Sequence, residues 1–221
     1  IMHQSVKNII DLYDNVKQKI ESLNYSNYSP QIIAVSKTFS MENILPLINY
    51  GHLHFGENKV QEALSKWSEV KVERKNIKLH MIGKLQSNKV KQAVSIFDYI
   101  HSVDSIKLAN KICEEQNKQN KNIKIFLQVN IGDEIQKSGS KIRDLDELVE
   151  VCKKNNLNVI GLMCLPPFNK PVHDYFSLIK KKNDELKFKD LSLGMSNDYI
   201  EALIYKTSFI RIGTKIFGER D

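Results

Sequence analysis

Three stretches of this sequence carry residue types that could do chemistry together. Arg211-Ile212-Gly213-Thr214 sets an arginine, a glycine and a threonine hydroxyl at the end of a short apolar run. Leu193-Gly194-Met195-Ser196 has the same form, an apolar run followed by glycine and a hydroxyl. Glycine lets a ligand approach the backbone closely, and exposed N–H groups at such a turn favour anions. Two turns of this kind read as a phosphate cradle. The third stretch, Ile32-Ile33-Ala34-Val35-Ser36-Lys37, ends a β-branched run in a lysine. A lysine there either snorkels to solvent or is desolvated. A desolvated lysine beside other cations has a lowered pKa and can form an imine with an aldehyde. Arg211 either pairs with a rim carboxylate or contacts a ligand.

These stretches meet only if the elements that carry them are neighbours. Val6, Ile9, Ile10, Tyr13, Val16, Ile20 and Leu23 predict an amphipathic helix over 5–23. Strand-like runs follow at 31–36, 52–56, 77–82, 99–103, 123–130, 158–163, 190–194 and 208–212. Helical patterns separate them at 40–49, 59–70, 86–95, 104–117, 144–155, 171–186 and 197–205. Asp104 is the expected cap of the fourth of these, and Ser196 or Asn197 of the last. Near-continuous apolar strands alternating with helices indicate a parallel sheet covered on both faces. The expected fold is α/β, a single (β/α)8 TIM barrel with an extra N-terminal helix, one domain over 1–221. A doubly wound open sheet is the alternative, weakened because no GxGxxG follows the first strand.

In such a barrel the carboxyl ends of the strands form the functional face. Those ends add Asn58 with Glu57, His80, Gly83, His101, Ser102, Gln128, Asn130 and Met163. His80 and His101 are expected to be hydrogen-bonded structural histidines rather than catalytic bases. Asn58, Gln128 and Asn130 are expected to be polar fillers of the mouth, Met163 core, and His52, His54 and His173 structural or surface residues. No aspartate cluster suits magnesium, and no histidine pair has metal spacing.

The formal charge is +7. Its lysines are dispersed along the predicted helices and arginine is scarce, so a dedicated nucleic-acid surface is not expected. Cys113, Cys152 and Cys164 are widely spaced and lack a CxxC, as free thiols in a reducing compartment would be. No apolar run approaches the roughly 18 residues of a membrane span. The stretch Met2 to Ile9 lacks a leader's hydrophobic region, and a cytoplasmic location is the expectation.

A lysine facing a phosphate cradle suits an aldehyde-bearing phosphate, and pyridoxal 5′-phosphate fits. An arginine opposite its ring nitrogen would leave that nitrogen unprotonated. The resulting weak electron sink suits simple proton transfer or cofactor holding.

Longer motifs carry a resemblance. They are Ala34-Val35-Ser36-Lys37-Thr38, Phe55-Gly56-Glu57-Asn58-Lys59-Val60-Gln61-Glu62, His80-Met81-Ile82-Gly83-Lys84-Leu85-Gln86-Ser87-Asn88-Lys89 and His101-Ser102-Val103-Asp104. Further on come Gln128-Val129-Asn130, Glu134-Ile135-Gln136-Lys137-Ser138-Gly139, Gly161-Leu162-Met163, Leu191 to Asp198 and Arg211 to Gly218. Nearly end to end, the chain resembles the pyridoxal phosphate homeostasis protein family, which is similar to the N-terminal barrel domain of alanine racemase. The resemblance implies a barrel that holds pyridoxal phosphate on Lys37 as a lysine aldimine. It implies Ser196, Gly213 and Thr214 at the phosphate, with Met195 lining the same turn. Arg211 would face the pyridine nitrogen, and Asn58 and Ile82 would flank the ring. Lys137 would bear on cofactor exchange.

The implied role is a carrier and buffer without robust turnover, acting as a monomer, with pyridoxal-phosphate-dependent apo-enzymes as recipients. Neither nucleic acid nor membrane is an expected partner. One alternative is a small amino-acid racemase or α-proton exchanger. Alanine racemase, however, uses a C-terminal β domain and a tyrosine opposite its lysine. None of the eight tyrosines here is placed for that role. A basic module for RNA or an acidic protein is the third reading. Two positions and one segment depart from the family pattern. Ser105 stands where arginine is common, Lys84 where proline is usual, and Tyr205-Lys206-Thr207-Ser208 replaces the usual Gly-Ser-Thr before the last strand.

Overall fold

The computed structural model describes residues 2–219. Eight strands, all paired in parallel, close into a barrel in sequence order. They are β1 (Gln31–Val35), β2 (His54–Glu57), β3 (Lys78–Met81), β4 (Tyr99–Val103), β5 (Lys124–Val129), β6 (Asn158–Cys164), β7 (Asp190–Met195) and β8 (Phe209–Ile212). Helix α1 (Met2–Ser22) precedes them. After the strands in turn come α2 (Met41–Asn49), α3 (Val60–Glu73), α4 (Val90–Ile96), α5 (Ile106–Lys118), α6 (Leu145–Lys154), α7 (Val172–Glu185), α8 (Tyr199–Ile204) and the single turn α9 (Thr214–Phe217). The pairing of β1 with β8, with Ile33 beside Arg211, closes the barrel and excludes the open sheet.

The β-branched runs form strands because both of their faces are buried. On β1, Ile32 and Ala34 belong to the large core between sheet and helices, while Ile33 belongs to a separate interior cluster. That interior layer is Ile33, Tyr99, Phe126, Met163 and Phe209. Met163 is therefore core, as expected. Helix α1 buries Ile9, Tyr13, Val16 and Ile20, a stripe at helical spacing, and packs on α2 and α9. Since α9 is only one turn, α1 supplies the long outer helix at that point in the ring.

Several helix starts differ from expectation for a physical reason. Ser105, not Asp104, caps α5, its side chain accepting from Leu108 N at 3.2 Å, a contribution of about 1 kcal/mol. Asp104 instead accepts from Gly139 N at 3.1 Å and pins the loop after β5. The helical segment after β3 opens as a 3-10 turn over Ser87–Lys89 before α4. Helix α8 is opened by neither Ser196 nor Asn197, because residues 195–198 form a closed turn. Met195 N donates to Asp198 Oδ1 at 2.6 Å and Asp198 N donates to Met195 O at 3.2 Å. The atypical segment before β8 still makes a tight connection. Lys206 takes φ 53°, and the buried Thr207 hydroxyl accepts from Leu193 N at 3.0 Å.

Among the described residues no helix is long and apolar enough to cross a membrane. The three cysteines are free.

Candidate functional site at the barrel mouth

A cavity of about 600 Å³ opens at the carboxyl ends of the strands. Its lining includes Lys37, Asn58, Ile82, Met195, Ser196, Arg211, Gly213 and Thr214, every residue singled out as a site residue from sequence, and Lys137 as well.

Lys37 follows β1 and is half-buried. The next residue, Thr38, takes φ 70°, a conformation that a β-branched side chain rarely adopts. Strain of this kind persists only where the surroundings impose it. Here the surroundings are α3. Thr38 N donates to Glu62 Oε1 at 2.5 Å, and Lys66 Nζ donates to Ser36 O at 2.8 Å and Phe39 O at 3.1 Å. Lys66 is itself paired with the fully buried Glu57 at 2.7 Å. Glu57 Oε1 also accepts from Ser36 Oγ at 2.7 Å and from Trp67 Nε1 at 2.9 Å. Burial pushes the Glu57 carboxyl upward in pKa, and these partners oppose the shift.

Asn58 is positioned by Gly83, where an added Cβ would lie 2.3 Å from Asn58 O. Ile82 stands beside them, its N–H donating to Glu57 O at 3.0 Å.

Arg211 is an inward-facing residue of β8 with 3% exposure. Its Nη1 donates to Ser192 O at 2.8 Å and to Ser192 Oγ, and its Nη2 donates to Cys164 O at 3.1 Å. These acceptors are neutral, so the guanidinium charge is not cancelled by them. Burial lowers the Arg211 pKa, while the Cys164 thiol and the Asp198 carboxylate oppose that shift.

The two turns are joined directly. Ser196 Oγ accepts from Gly213 N at 3.3 Å. Gly194 is required by packing: its φ is 91°, and a Cβ would meet Ala202 Cβ at 2.8 Å and Tyr199 Cα at 2.9 Å. Gly213 is different. A Cβ there would meet Val35 at 3.5 Å, an ordinary contact, so the protein's own atoms leave room for a side chain beside the cavity. A glycine at a place the protein does not fill suits a ligand that approaches the backbone.

Some strand-end residues do not reach the cavity. His80 and His101 are fully buried in the barrel interior beneath it, and Ser102 is buried as well. Asn130 holds the loop after β5, donating to Glu134 O at 2.8 Å and accepting from Glu134 N at 3.1 Å. Within that loop Lys137 pairs with Glu134 at 2.8 Å.

Other lining residues escaped the sequence reading. Asp198 lies on the cavity, and burial pushes its carboxyl upward in pKa. The Asn197-Asp198 pair was the available signal, since such residues favour turns. Pro166 to Lys170, after β6, form another wall. The Pro166-Pro167 pair marked a stiff loop but not its direction.

The arrangement offers an amine, a guanidinium, two hydroxyls and an approachable backbone around one largely apolar space. That donor set suits a flat, phosphorylated ligand with an electrophilic carbon.

The family model for the alanine racemase N-terminal domain matches residues 10–221. The pyridoxal phosphate homeostasis protein of Vibrio alginolyticus is 33% identical over 227 residues, covering 97% of each chain. The chain belongs to the pyridoxal phosphate homeostasis protein family. Its member from Escherichia coli strain K12 is 32% identical over 234 residues, covering 100% of this chain and 98% of that one. Among solved structures, PipY of Synechococcus elongatus with pyridoxal phosphate bound superposes with a TM-score of 0.81 at 31% identity, covering 95% of this chain and 100% of that one. Alanine racemase of Clostridium difficile 630 superposes with a TM-score of 0.74 at 14% identity, which shows a common fold, and this chain covers 57% of it.

Proposed function

We propose that this protein binds pyridoxal 5′-phosphate in the barrel-mouth cavity and acts in its homeostasis, as a carrier and buffer rather than a catalyst. The observation that carries this reading is convergence. A lysine amine, a buried arginine and two joined glycine–hydroxyl turns come from β1, β8 and β7 and line one cavity. When bound, the group supplies an aldehyde carbon to an amine and, opposite an arginine, only a weak electron sink.

In this reading Lys37 holds the aldehyde carbon and Arg211 faces the ring nitrogen. Ser196, Thr214 and the Gly213 backbone bind the phosphate, with Met195 beside them. Asn58 and Ile82 flank the ring. The cavity's titratable lining residues are Lys37, Lys137, Lys170, Asp198 and Arg211. A racemase such as alanine racemase uses a tyrosine across the ligand from its lysine, and among the described residues the lining includes no tyrosine or histidine for that task. This favours holding over turnover. Pyridoxal-phosphate-dependent apo-enzymes are the recipients we propose, and the protein acts as a monomer in the cytoplasm.

The test is borohydride reduction of protein mixed with pyridoxal phosphate, followed by peptide mapping. We expect a pyridoxyl group on Lys37 and its loss in Lys37→Ala. Adducts scattered over surface lysines would rule the site out. Deuterium exchange into amino acids well above the rate of free cofactor would rule out a purely carrying role.

A further inference from the structure

Five polar side chains cross the barrel interior in one line, and the proposed function uses only one of them, Arg211. Arg211 Nη1 donates to Ser192 Oγ. Ser192 Oγ lies 2.8 Å from His101 Nδ1. His101 Nε2 lies 2.9 Å from His80 Nδ1, and His80 Nε2 lies 2.9 Å from His54 Nδ1. The five residues come from β8, β7, β4, β3 and β2. Aromatic rings sheathe the line: His80 stacks on Tyr99 at 4.2 Å and His101 on Phe126 at 4.5 Å.

The chemistry of the ends sets a direction. A guanidinium only donates, so Ser192 Oγ accepts from Arg211. Ser192 is fully buried and has one proton of its own to place. His101 Nδ1 is the ring nitrogen within reach. Were His101 to donate instead, the Ser192 proton would be left unpartnered in the barrel core, a costly arrangement. The serine therefore donates, and His101 Nδ1 accepts. His101 then carries its proton on Nε2 and donates to His80 Nδ1. By the same logic His80 donates from Nε2 to His54 Nδ1.

Charges around the line agree with neutral rings. Arg211 faces His101; His54, His101, His52 and Lys71 act on His80; Lys78 and Lys124 disfavour a charged His54, and Asp98 alone opposes them. Burial, the largest influence, holds His80 and His101 uncharged.

We propose that Ser192, His101, His80 and His54 form a directional relay of positioning residues, all three histidines in the Nε2–H form, that fixes the orientation of the Arg211 guanidinium in the cavity wall. Its effect on ligand affinity rests on the pyridoxal phosphate reading. The relay itself does not.

The test starts with histidine-15N-labelled protein and no added ligand, observed by NMR at pH 7. We expect the neutral Nε2–H pattern at His54, His80 and His101, and mixed tautomers at His101 in Ser192→Ala. An Nδ1–H or doubly protonated ring at His80 or His101 in the unsubstituted protein overturns the relay, as does an unchanged His101 in Ser192→Ala. The second arm compares two probes. Ser192→Ala should weaken pyridoxal phosphate binding about tenfold while leaving inorganic phosphate binding unchanged, since phosphate needs only the two turns. Equal loss of both probes marks general collapse of the site and overturns a specific positioning role. Borohydride trapping on Lys37 in the unsubstituted protein separates the two ideas: without an adduct the cofactor reading falls, while the NMR pattern still decides the relay.

Discussion

The hydroxyl of Ser196 accepts a hydrogen bond from the backbone N–H of Gly213 at 3.3 Å, joining the turn after β7 to the turn after β8. Two anion-favouring backbones are held side by side by one side chain. Ser196→Ala should therefore lose both a hydroxyl donor and the link. We expect pyridoxal phosphate affinity to fall about tenfold, and inorganic phosphate to compete less well, by isothermal titration calorimetry. Unchanged phosphate competition would place the anion elsewhere.

The two glycines of these turns should respond oppositely. Gly194→Ala forces a Cβ to 2.8 Å from Ala202 Cβ at φ 91° and should destabilise the fold by about 1–3 kcal/mol. Gly213→Ala meets only an ordinary contact at 3.5 Å and should leave urea unfolding nearly unchanged while abolishing pyridoxal phosphate retention. Comparing denaturation curves with retention on gel filtration separates the two effects.

Lys66 should matter although it is remote from the cavity. It pairs with the fully buried Glu57 and with Glu62, and holds the carbonyls of Ser36 and Phe39 on either side of Lys37. Removing one partner of a buried pair typically costs 3–5 kcal/mol. Lys66→Met should approach that loss, and adding Glu57→Gln should recover part of it. A double-mutant cycle in urea measures this coupling; additive losses would show that the pair does not act as a unit.

Acid should unfold the protein through its histidines. Burial lowers His52 to about 4 and His54 to about 4, and His80 and His101 lie well below the ordinary value of 6.5. The unfolded chain binds these protons first, so stability rises with pH across this window. It is fully present above about pH 6.5 and is lost as pH falls toward about 4. Each fully buried histidine adds a slope of about 1.4 kcal/mol per pH unit. Urea midpoints measured from pH 7 to 5 should fall steeply, and His52→Phe should reduce the slope by one proton.

Much of the barrel was legible in the chain because its signals are local. β-Branched runs, helical stripes and glycine–hydroxyl turns are properties of neighbouring residues, and their alternation was enough to indicate eight βα units. The site residues were legible for the same reason, each standing at or just after the end of a strand. The positions of Asp104 and Ser196 also suggested helix caps. Tertiary contacts decided otherwise, because Gly139 N claims the Asp104 carboxylate and Gly213 N the Ser196 hydroxyl.

What only the folded barrel decided is which way strand-end side chains point and which distant groups meet. Lys37 lies beyond the end of β1, whereas His80 and His101 lie within β3 and β4 and point into the interior, where His54 and Ser192 complete their hydrogen bonds. Lys66 lies 29 residues beyond Lys37 and still holds its loop, through an α3 face that no local pattern tied to β1. Local chemistry thus determined the elements and the donors. Closure of the sheet, which brings β8 against β1 and turns one side of every strand inward, determined the cavity and the line of polar groups below its mouth.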